Sequence, residues 1–276
     1  MGGEIADCAY RRFYEQAGRD YPEEEMVYRT LSGRLRLAFI LGTIGDWKGR
    51  FLDIGCNAGT VLTRLPNPRK FGVDISLSVL GRFRRADSEI PLAVTDAQDP
   101  ACFRPGVFDG ILCSEVLEHL PDPGKAFLGI SRLLASGGRA LVTTPNYRGK
   151  RPGWVPVGVL ARFGVKGMKG DLYFHTAFRP EELENLAEAA GLAVLESGTL
   201  EKEVKYAAKP GVLLFAVPRW FNRKLLHSAR LDMLLQNGLD RVTLAVYTCL
   251  RRLYVHEWLN RRIKEGVRSY ILVHKT

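Results

Sequence analysis

A handful of carboxylates and two imidazoles carry the chemistry that this 276-residue sequence offers. Asp53 stands in Leu52-Asp53-Ile54-Gly55-Cys56-Asn57-Ala58-Gly59-Thr60, an apolar run that breaks into a glycine-containing turn. Gly55 and Gly59 suit positive φ or a close approach of backbone to ligand, and Asn57 is among the few side chains that tolerate such φ. A carboxylate at Asp53 repels a pyrophosphate and attracts a cation. Asp74 closes the next apolar run, about 20 residues after the turn, where doubly wound folds set a carboxylate on ribose hydroxyls. Asp96 closes a third run, suitably placed to accept from an adenine amino group. Glu115, Glu118 and His119 stand at i, i+3 and i+4 where a fourth run gives way to a helix, a spacing that puts them on one face. Histidine accepts a hydroxyl proton near neutrality, so His119 is the preferred general base. His175, in the loop Asp171–Phe178 ahead of a helix, is read either as its assistant or as a residue that orders the loop. Plainer readings compete: a Gly-x-x-x-Gly run is also a structural turn, and His119 is also a helix-start histidine bonded to a carbonyl.

The elements that must position these groups follow from the patterning. Between about residues 50 and 146, short apolar runs alternate with helical stretches, the sign of a parallel sheet with crossover helices. The runs are Arg50–Cys56, Lys70–Ile75, Pro91–Thr95, Phe108–Cys113 and Arg139–Thr144, with a helix expected to begin near Val61 after the first. Each ends in polar or small residues, which places the chemistry at the carboxyl edge of the sheet, where open α/β sheets bind ligands. Pro22 followed by Glu23, Glu24 and Glu25 opens one or two helices over Glu23–Ile44. Arg179-Pro180-Glu181-Glu182-Leu183 opens another, ending at Ala190-Gly191, followed by a strand over Leu192–Leu200. A last strand is expected over Arg268–Lys275, and residues 201–267 between the two read as helical.

Taken together, these motifs resemble those of the class I S-adenosylmethionine (SAM)-dependent methyltransferases. DIGCNAG is similar to their first motif, Asp74-Ile75 to the second and Thr95-Asp96-Ala97 to the third. Phe108-Asp109-Gly110-Ile111 with Ser114-Glu115-Val116-Leu117-Glu118-His119-Leu120 is similar to the fourth, and Leu134-Ala135-Ser136-Gly137-Gly138 to the last. The resemblance covers roughly residues 30–200 and 268–276, departing at Asn57, where Gly is usual, and at Ser136, where Pro is common. It implies a Rossmann-like seven-strand α/β sheet whose last strand is antiparallel, with a helical insert between the last two strands. It also implies SAM as co-substrate, with Asp53, Gly55, Asn57 and Gly59 at the methionyl part, Asp74 and Ile75 at the ribose, and Asp96 with Ala97 at the adenine. Ser114 completes that set. Within the family the ordering resembles the quinone-biosynthesis O-methyltransferases. By that likeness Arg36 binds the SAM carboxylate, against its reading as a solvated helix arginine, and the stretch from Val157 through His175 to Leu183 lies over the acceptor.

Methyl transfer from a sulfonium is an in-line displacement, so aligning the acceptor is the main catalytic task. A base is needed only if the acceptor must lose a proton, the role given to His119 with Glu115 and His175. Glu115, Glu118, His119 and His175 also make a set capable of holding a divalent cation. That set is similar to the metal site of small-RNA 2′-O-methyltransferases, but metal-free relatives share the spacing and no metal is assigned.

Charge separates the two halves. The chain carries a formal charge of +10. Residues 1–147 hold 18 basic and 18 acidic side chains, and residues 148–276 hold 22 and 12. Residues 201–267 hold 13 basic and 6 acidic groups among apolar positions at helical spacing, a pattern of basic amphipathic helices. They are read as packing on the domain, as an acceptor lid, or as lying on an anionic membrane surface. The expected acceptor is a small or lipid-like molecule, with methylation at oxygen. A metal-assisted RNA 2′-O-methyltransferase and a non-catalytic SAM-fold scaffold are the alternatives. Nucleic acid is disfavoured, since the fourth motif has no Asn-Pro-Pro-Tyr-type run and no RNA-binding module stands out. An NAD(P)-dependent oxidoreductase is disfavoured by Asp53 and by the glycine spacing. Five widely spaced cysteines with no CxxC pair, and a start (MGGEIADCAYRRFYEQ) with neither an apolar core nor a Ser or Thr at Ala6, point to a cytoplasmic protein without secretory signal or myristoyl group. With 46% hydrophobic residues but no long uncharged apolar run, a core is expected and a spanning helix is not.

Overall fold

The computed structural model describes residues 7–87 and 89–276, and the expectation resting on Ala6 falls outside them, as does the side chain of Cys8. The chain forms two compact units: one of residues up to 24, 38–198 and 268–276, the other of residues 25–37 and 199–267.

The first unit is built on a seven-stranded sheet. In chain order the strands are β1 (Phe51–Ile54), β2 (Lys70–Asp74), β3 (Leu92–Val94), β4 (Phe108–Ser114), β5 (Leu134–Pro145), β8 (Ala193–Leu200) and β9 (Arg268–His274). Their spatial order is β3-β2-β1-β4-β5-β9-β8. β1 to β5 run parallel, and β9 pairs antiparallel with β5. All four residues of β1 are buried, as a parallel strand covered on both faces requires. The order reverses at β1, with β2 on one side and β4 on the other. A crevice therefore opens at the carboxyl ends of β1 and β4, where Asp53 lies opposite both Gly72 and Leu112.

Helices flank the sheet: α1 (Asp7–Asp20), α4 (Leu77–Ala86), α5 (Pro123–Leu133) and α6 (Pro180–Ala189), while α2 (Glu23–Val27) and α3 (Leu31–Ile44) are each divided between the two units. Their starts are local chemistry. The Ser76 side chain caps α4 by accepting from Val79 N, Asp122 caps α5 by accepting from Lys125 N, and Pro sits in the first turn of α5 and of α6. A hairpin of β6 (Trp154–Pro156) and β7 (Leu172–Phe174) lies between β5 and α6 in the chain.

One expectation is corrected here. No α-helix follows the glycine turn; a single 3-10 turn, Leu62–Arg64, forms instead. Pro66 and Pro68 follow within four residues, and Leu65 takes the extended conformation that a residue before proline prefers, so a longer helix has no room. The turn itself depends on glycine. Gly59 has φ +85°, and a Cβ there would lie 2.1 Å from the Phe83 ring. Gly59→Ala is expected to cost on the order of 3 kcal/mol, read as a lowered urea midpoint. Gly106→Ala, with positive φ but open space around it, is expected to cost about 1 kcal/mol. Equal losses in the two variants would show that contact with Phe83 is not what matters.

The second unit is helical: α7 (Lys202–Phe221), α8 (Ala229–Arg252) and α9 (Val255–Arg262), with a π-helical turn, Asn222–Leu226, leading from α7 toward α8. Its apolar stripes pack inward in part. Leu31, Tyr206 and Ala207 form a small core with Leu244, Tyr247, Leu250 and Leu259. Among the described residues no helix is long and apolar enough to cross a membrane.

Candidate active site

The carboxyl edge of the sheet gathers most of the predicted groups. Gly55, Asn57 and Gly59 all have positive φ, which folds the turn back over β2 so that the Gly55 and Cys56 N–H groups both donate to Val73 O. Asp74 organises that turn: one carboxylate oxygen accepts from Asn57 N at 3.1 Å and the other from Ser76 N at 2.9 Å. Ile75 follows it directly. Asp96 accepts from Gln98 N at 2.8 Å and pairs with Arg11 of α1 at 3.8 Å, with Ala97 next in the chain. Ser114 ends β4 and shares a 2.8 Å hydrogen bond with Thr143.

Three further carboxylates reach the same edge from the N-terminal segment. Glu15 accepts from the hydroxyls of Ser76 and Ser78, Glu23 from Asn57 Nδ2 at 2.8 Å and Glu24 from Thr60 N at 3.0 Å. These were not singled out in the sequence, where Glu23 and Glu24 read as first-turn helix charges. Burial pushes Asp53 well above the usual carboxylate range, and the charges of Asp74 and Glu24 push it further. Asp74 is also raised by burial, against the backbone N–H groups that pull it down. A crowded set of carboxylates held at unfavourable potential is complementary to a ligand that brings positive charge.

The imidazoles meet one strand farther along. His119 ends a 3-10 turn, Leu117–His119, just after β4. Its Nδ1 lies 3.5 Å from Nδ1 of His175. The loop bearing His175 is tied down by its backbone: His175 N donates to Gly153 O and Thr176 N to Glu118 O, both at 2.8 Å. Tyr14 of α1 packs edge-on against His119, with ring centroids 5.3 Å apart, and its buried hydroxyl has no hydrogen-bond partner among the described residues. Tyr14 was missed in the sequence. Its signal was there in the i, i+3, i+4 spacing of Tyr10, Phe13 and Tyr14, which marks the buried face of α1.

Burial, with a lesser contribution from His175, pushes His119 down to about 3. His175 is lowered mainly by burial, partly offset by Glu115. His119 is therefore neutral throughout the physiological range. Its folded value lies below the unfolded 6.5, so its neutral form contributes stability present above pH 6.5. That contribution is lost as pH falls from 6.5 toward about 3, because only the unfolded chain takes up the proton. His119→Gln is expected to flatten the fall in urea midpoint between pH 7.5 and 5.0, while Asp53 and Asp74, raised in both proteins, cancel from the comparison. An unchanged slope would remove His119 as the cause.

Two expectations change. Glu115, Glu118 and His119 do not share one face, because the helix expected there is a single 3-10 turn and Glu115 itself has φ +58°. Glu115 pairs with Arg268 of β9 at 2.7 Å, whereas buried Glu118 accepts from Thr144 at 3.3 Å. They therefore do not join His119 and His175 in a cation site. Among the described residues, no group of three or more His, Cys, Asp or Glu side chains is arranged to hold a metal ion. Arg36 belongs to the second unit, where it is buried and lies 3.9 Å from Glu201, whose other oxygen accepts from Ser32.

A family profile described as a methyltransferase domain matches residues 23–197, which includes the glycine turn, Asp74, Asp96 and both imidazoles. The chain belongs to the methyltransferase-domain family. A phosphoethanolamine N-methyltransferase 2 from Haemonchus contortus, 19% identical to this chain, was solved in complex with S-adenosyl-L-methionine. The present methyltransferase is 31% identical over 168 residues to the ubiquinone biosynthesis O-methyltransferase of Aeromonas salmonicida, an alignment covering 58% of this chain and 70% of that one. It is 27% identical over 202 residues to the Alkalilimnicola ehrlichii protein of the same name, covering 68% and 76%. Its fold is similar to that of a phosphoethanolamine N-methyltransferase 2 from Haemonchus contortus, with a TM-score of 0.56 at 19% identity. That match covers 99% of this chain and 60% of the other. It is also similar to a sarcosine dimethylglycine methyltransferase from Galdieria sulphuraria, with a TM-score of 0.55 at 16% identity, covering 98% and 99%.

Proposed function

We propose that this methyltransferase moves the methyl group of SAM to an oxygen of a small-molecule or lipid-like acceptor, with His119 taking the acceptor's proton. The observation that carries this reading is the pair of neutral imidazoles beside the acidic cofactor edge. The identity to O-methyltransferases named for ubiquinone biosynthesis supports oxygen as the atom and a small acceptor as the class.

When bound, SAM supplies a methyl group made electrophilic by its sulfonium. The protein's own groups do the rest. Asp53 and the Gly55–Gly59 backbone would hold the cationic methionyl end, Asp74 and Ile75 the ribose hydroxyls, Asp96 and Ala97 the adenine, with Ser114 alongside. The stacked ring of Tyr173 on Phe13 and the T-shaped Tyr14 wall the imidazoles with apolar surface. That wall excludes water from the hydroxyl to be methylated.

A base whose own pKa is about 3 is weak, and its weakness decides when it acts. It does not ionise a free hydroxyl in advance. As the new C–O bond forms, the hydroxyl becomes strongly acidic, and a neutral imidazole in contact accepts its proton at that moment. His175, within reach of His119, can share it. Glu115, close enough to influence His175, acts as a positioning residue through its ion pair with Arg268. The enzyme is assigned to the cytoplasm.

The test is methyl-labelled SAM incubated with the full chain and cell extract separated into lipid, small-molecule and RNA pools. Label is expected in the lipid or small-molecule pool. Label confined to RNA would overturn the acceptor class, and SAM binding without transfer to any pool would identify a scaffold instead.

A further inference from the structure

We propose that the tip of the α7–α8 hairpin is a docking element for an anionic membrane surface, a property separate from the identity of the acceptor. The argument starts from helix geometry. At about 100° per residue, Gly211, Phe215, Arg219 and Asn222 fall on one narrow stripe of α7 and its continuation. That stripe is the one that packs on α8. Space beside Gly211 is filled by Leu239 and Val242, Phe215 lies over Gly238, and Arg219 donates to Gln236 at 2.6 Å. Every other position of the uncharged run is left outside.

Those outside positions are large and apolar. Leu213 is 76% exposed, Val217 74% and Trp220 60%, and Leu214, Leu225 and Leu226 are each more than half exposed. With exposed Val212 and Phe221, those within residues 212–221 cover an arc of about 200° around the helix. A rigid protein partner covers one face of such a helix, whereas a fluid apolar phase covers the whole arc. The tip is also fixed rather than frayed. The Asn222 side chain donates to Ser228 O and accepts from Ser228 N, both at 3.0 Å, and Ser228 caps α8.

Charge selects the kind of surface. Between Pro210 and Leu234 the chain carries Arg219, Arg223, Lys224 and Arg230 against the single acid Asp232. Apolar and aromatic side chains flanked by arginine and lysine suit the headgroup boundary of an anionic bilayer. With no spanning helix among the described residues, the tip lies in the interface and does not cross it.

Vesicle sedimentation of the full chain tests this, using phosphatidylcholine vesicles with and without 30% phosphatidylglycerol by design (about one anionic lipid in three, to exploit surface potential). The chain is expected to sediment with the anionic vesicles only, and added salt is expected to release it. Leu213→Glu with Val217→Glu, both exposed sites, is expected to abolish sedimentation while SAM still raises the melting temperature by the same amount. Arg223→Ala with Lys224→Ala is expected to weaken partitioning about 25-fold, about fivefold for each charge. Brominated lipid is expected to quench a fluorescence component that Trp220→Phe removes. Equal binding to neutral vesicles, or undiminished binding by the Glu variant, overturns the proposal. So does a dimer in light scattering that the Glu variant dissolves, with no vesicle binding, which would make the occupant a second copy. Binding of RNA in place of vesicles, lost with the arginine variant alone, overturns it too.

Discussion

The His119→Ala enzyme is expected to bind SAM as tightly as the parent protein and to turn over at least about 100-fold more slowly, the usual worth of a positioned proton acceptor. The separation of the two effects follows from geometry. His119 is not among the groups that hold the glycine turn together, since Asp74, Asn57 and Ser76 do that without it. What it offers is an unprotonated nitrogen in an apolar enclosure, guaranteed by a pKa pushed down to about 3. Because the proton departs only as the methyl arrives, its loss falls on kcat. His175, 3.5 Å away, provides residual proton acceptance once His119 is gone, so the double variant with His175→Ala is expected to fall below the single one by more than the His175 effect alone. Calorimetry with SAM and a turnover assay on the acceptor decide the matter. Unchanged kcat would show that the imidazole pair serves the fold and not the reaction.

Asp74→Ala is expected to weaken SAM binding by about 100-fold, the larger share of 3 kcal/mol attached to charge-assisted hydrogen bonds. Two losses combine. The ribose contact proposed for Asp74 loses its acceptor, and the Asn57 and Ser76 N–H groups lose the carboxylate that orders the turn. Asp74→Asn retains an oxygen for one of these donors and is expected to lie between alanine and the parent. Titration calorimetry reads both values. Unchanged affinity in Asp74→Ala would remove the assigned orientation of the nucleoside.

Much of this arrangement is local and was legible without coordinates. In a parallel sheet every strand points its carboxyl end the same way, so an acid or small residue closing each apolar run necessarily lands at one edge. That is why Asp53, Asp74, Asp96 and Ser114 could be placed from spacing alone. The insert was visible for a similar reason: helical spacing over residues 201–267 is a one-dimensional signal. The helix expected near Val61 does not form because Pro66 and Pro68 restrict the residues before them, an effect that outweighs propensity.

Other features depend on residues far apart in the chain, and no periodicity records them. His119 and His175 are 56 positions apart, and Glu115 and Arg268 are 153 apart. Spacing on an assumed helix put Glu115 and Glu118 beside His119, but the backbone turned at Glu115 with positive φ and sent the two carboxylates to different partners. The N-terminal helix that brings Tyr14 to the imidazoles and Glu15 to Ser76 reaches its sites by packing, which composition does not encode. The same holds for the basic second half. Its sequence establishes that the helices are amphipathic and carry most of the chain's excess charge. Only the hairpin decides which apolar residues face α8 and which face outward, because one helix stripe is consumed by close packing and the remaining arc is left exposed among the described residues.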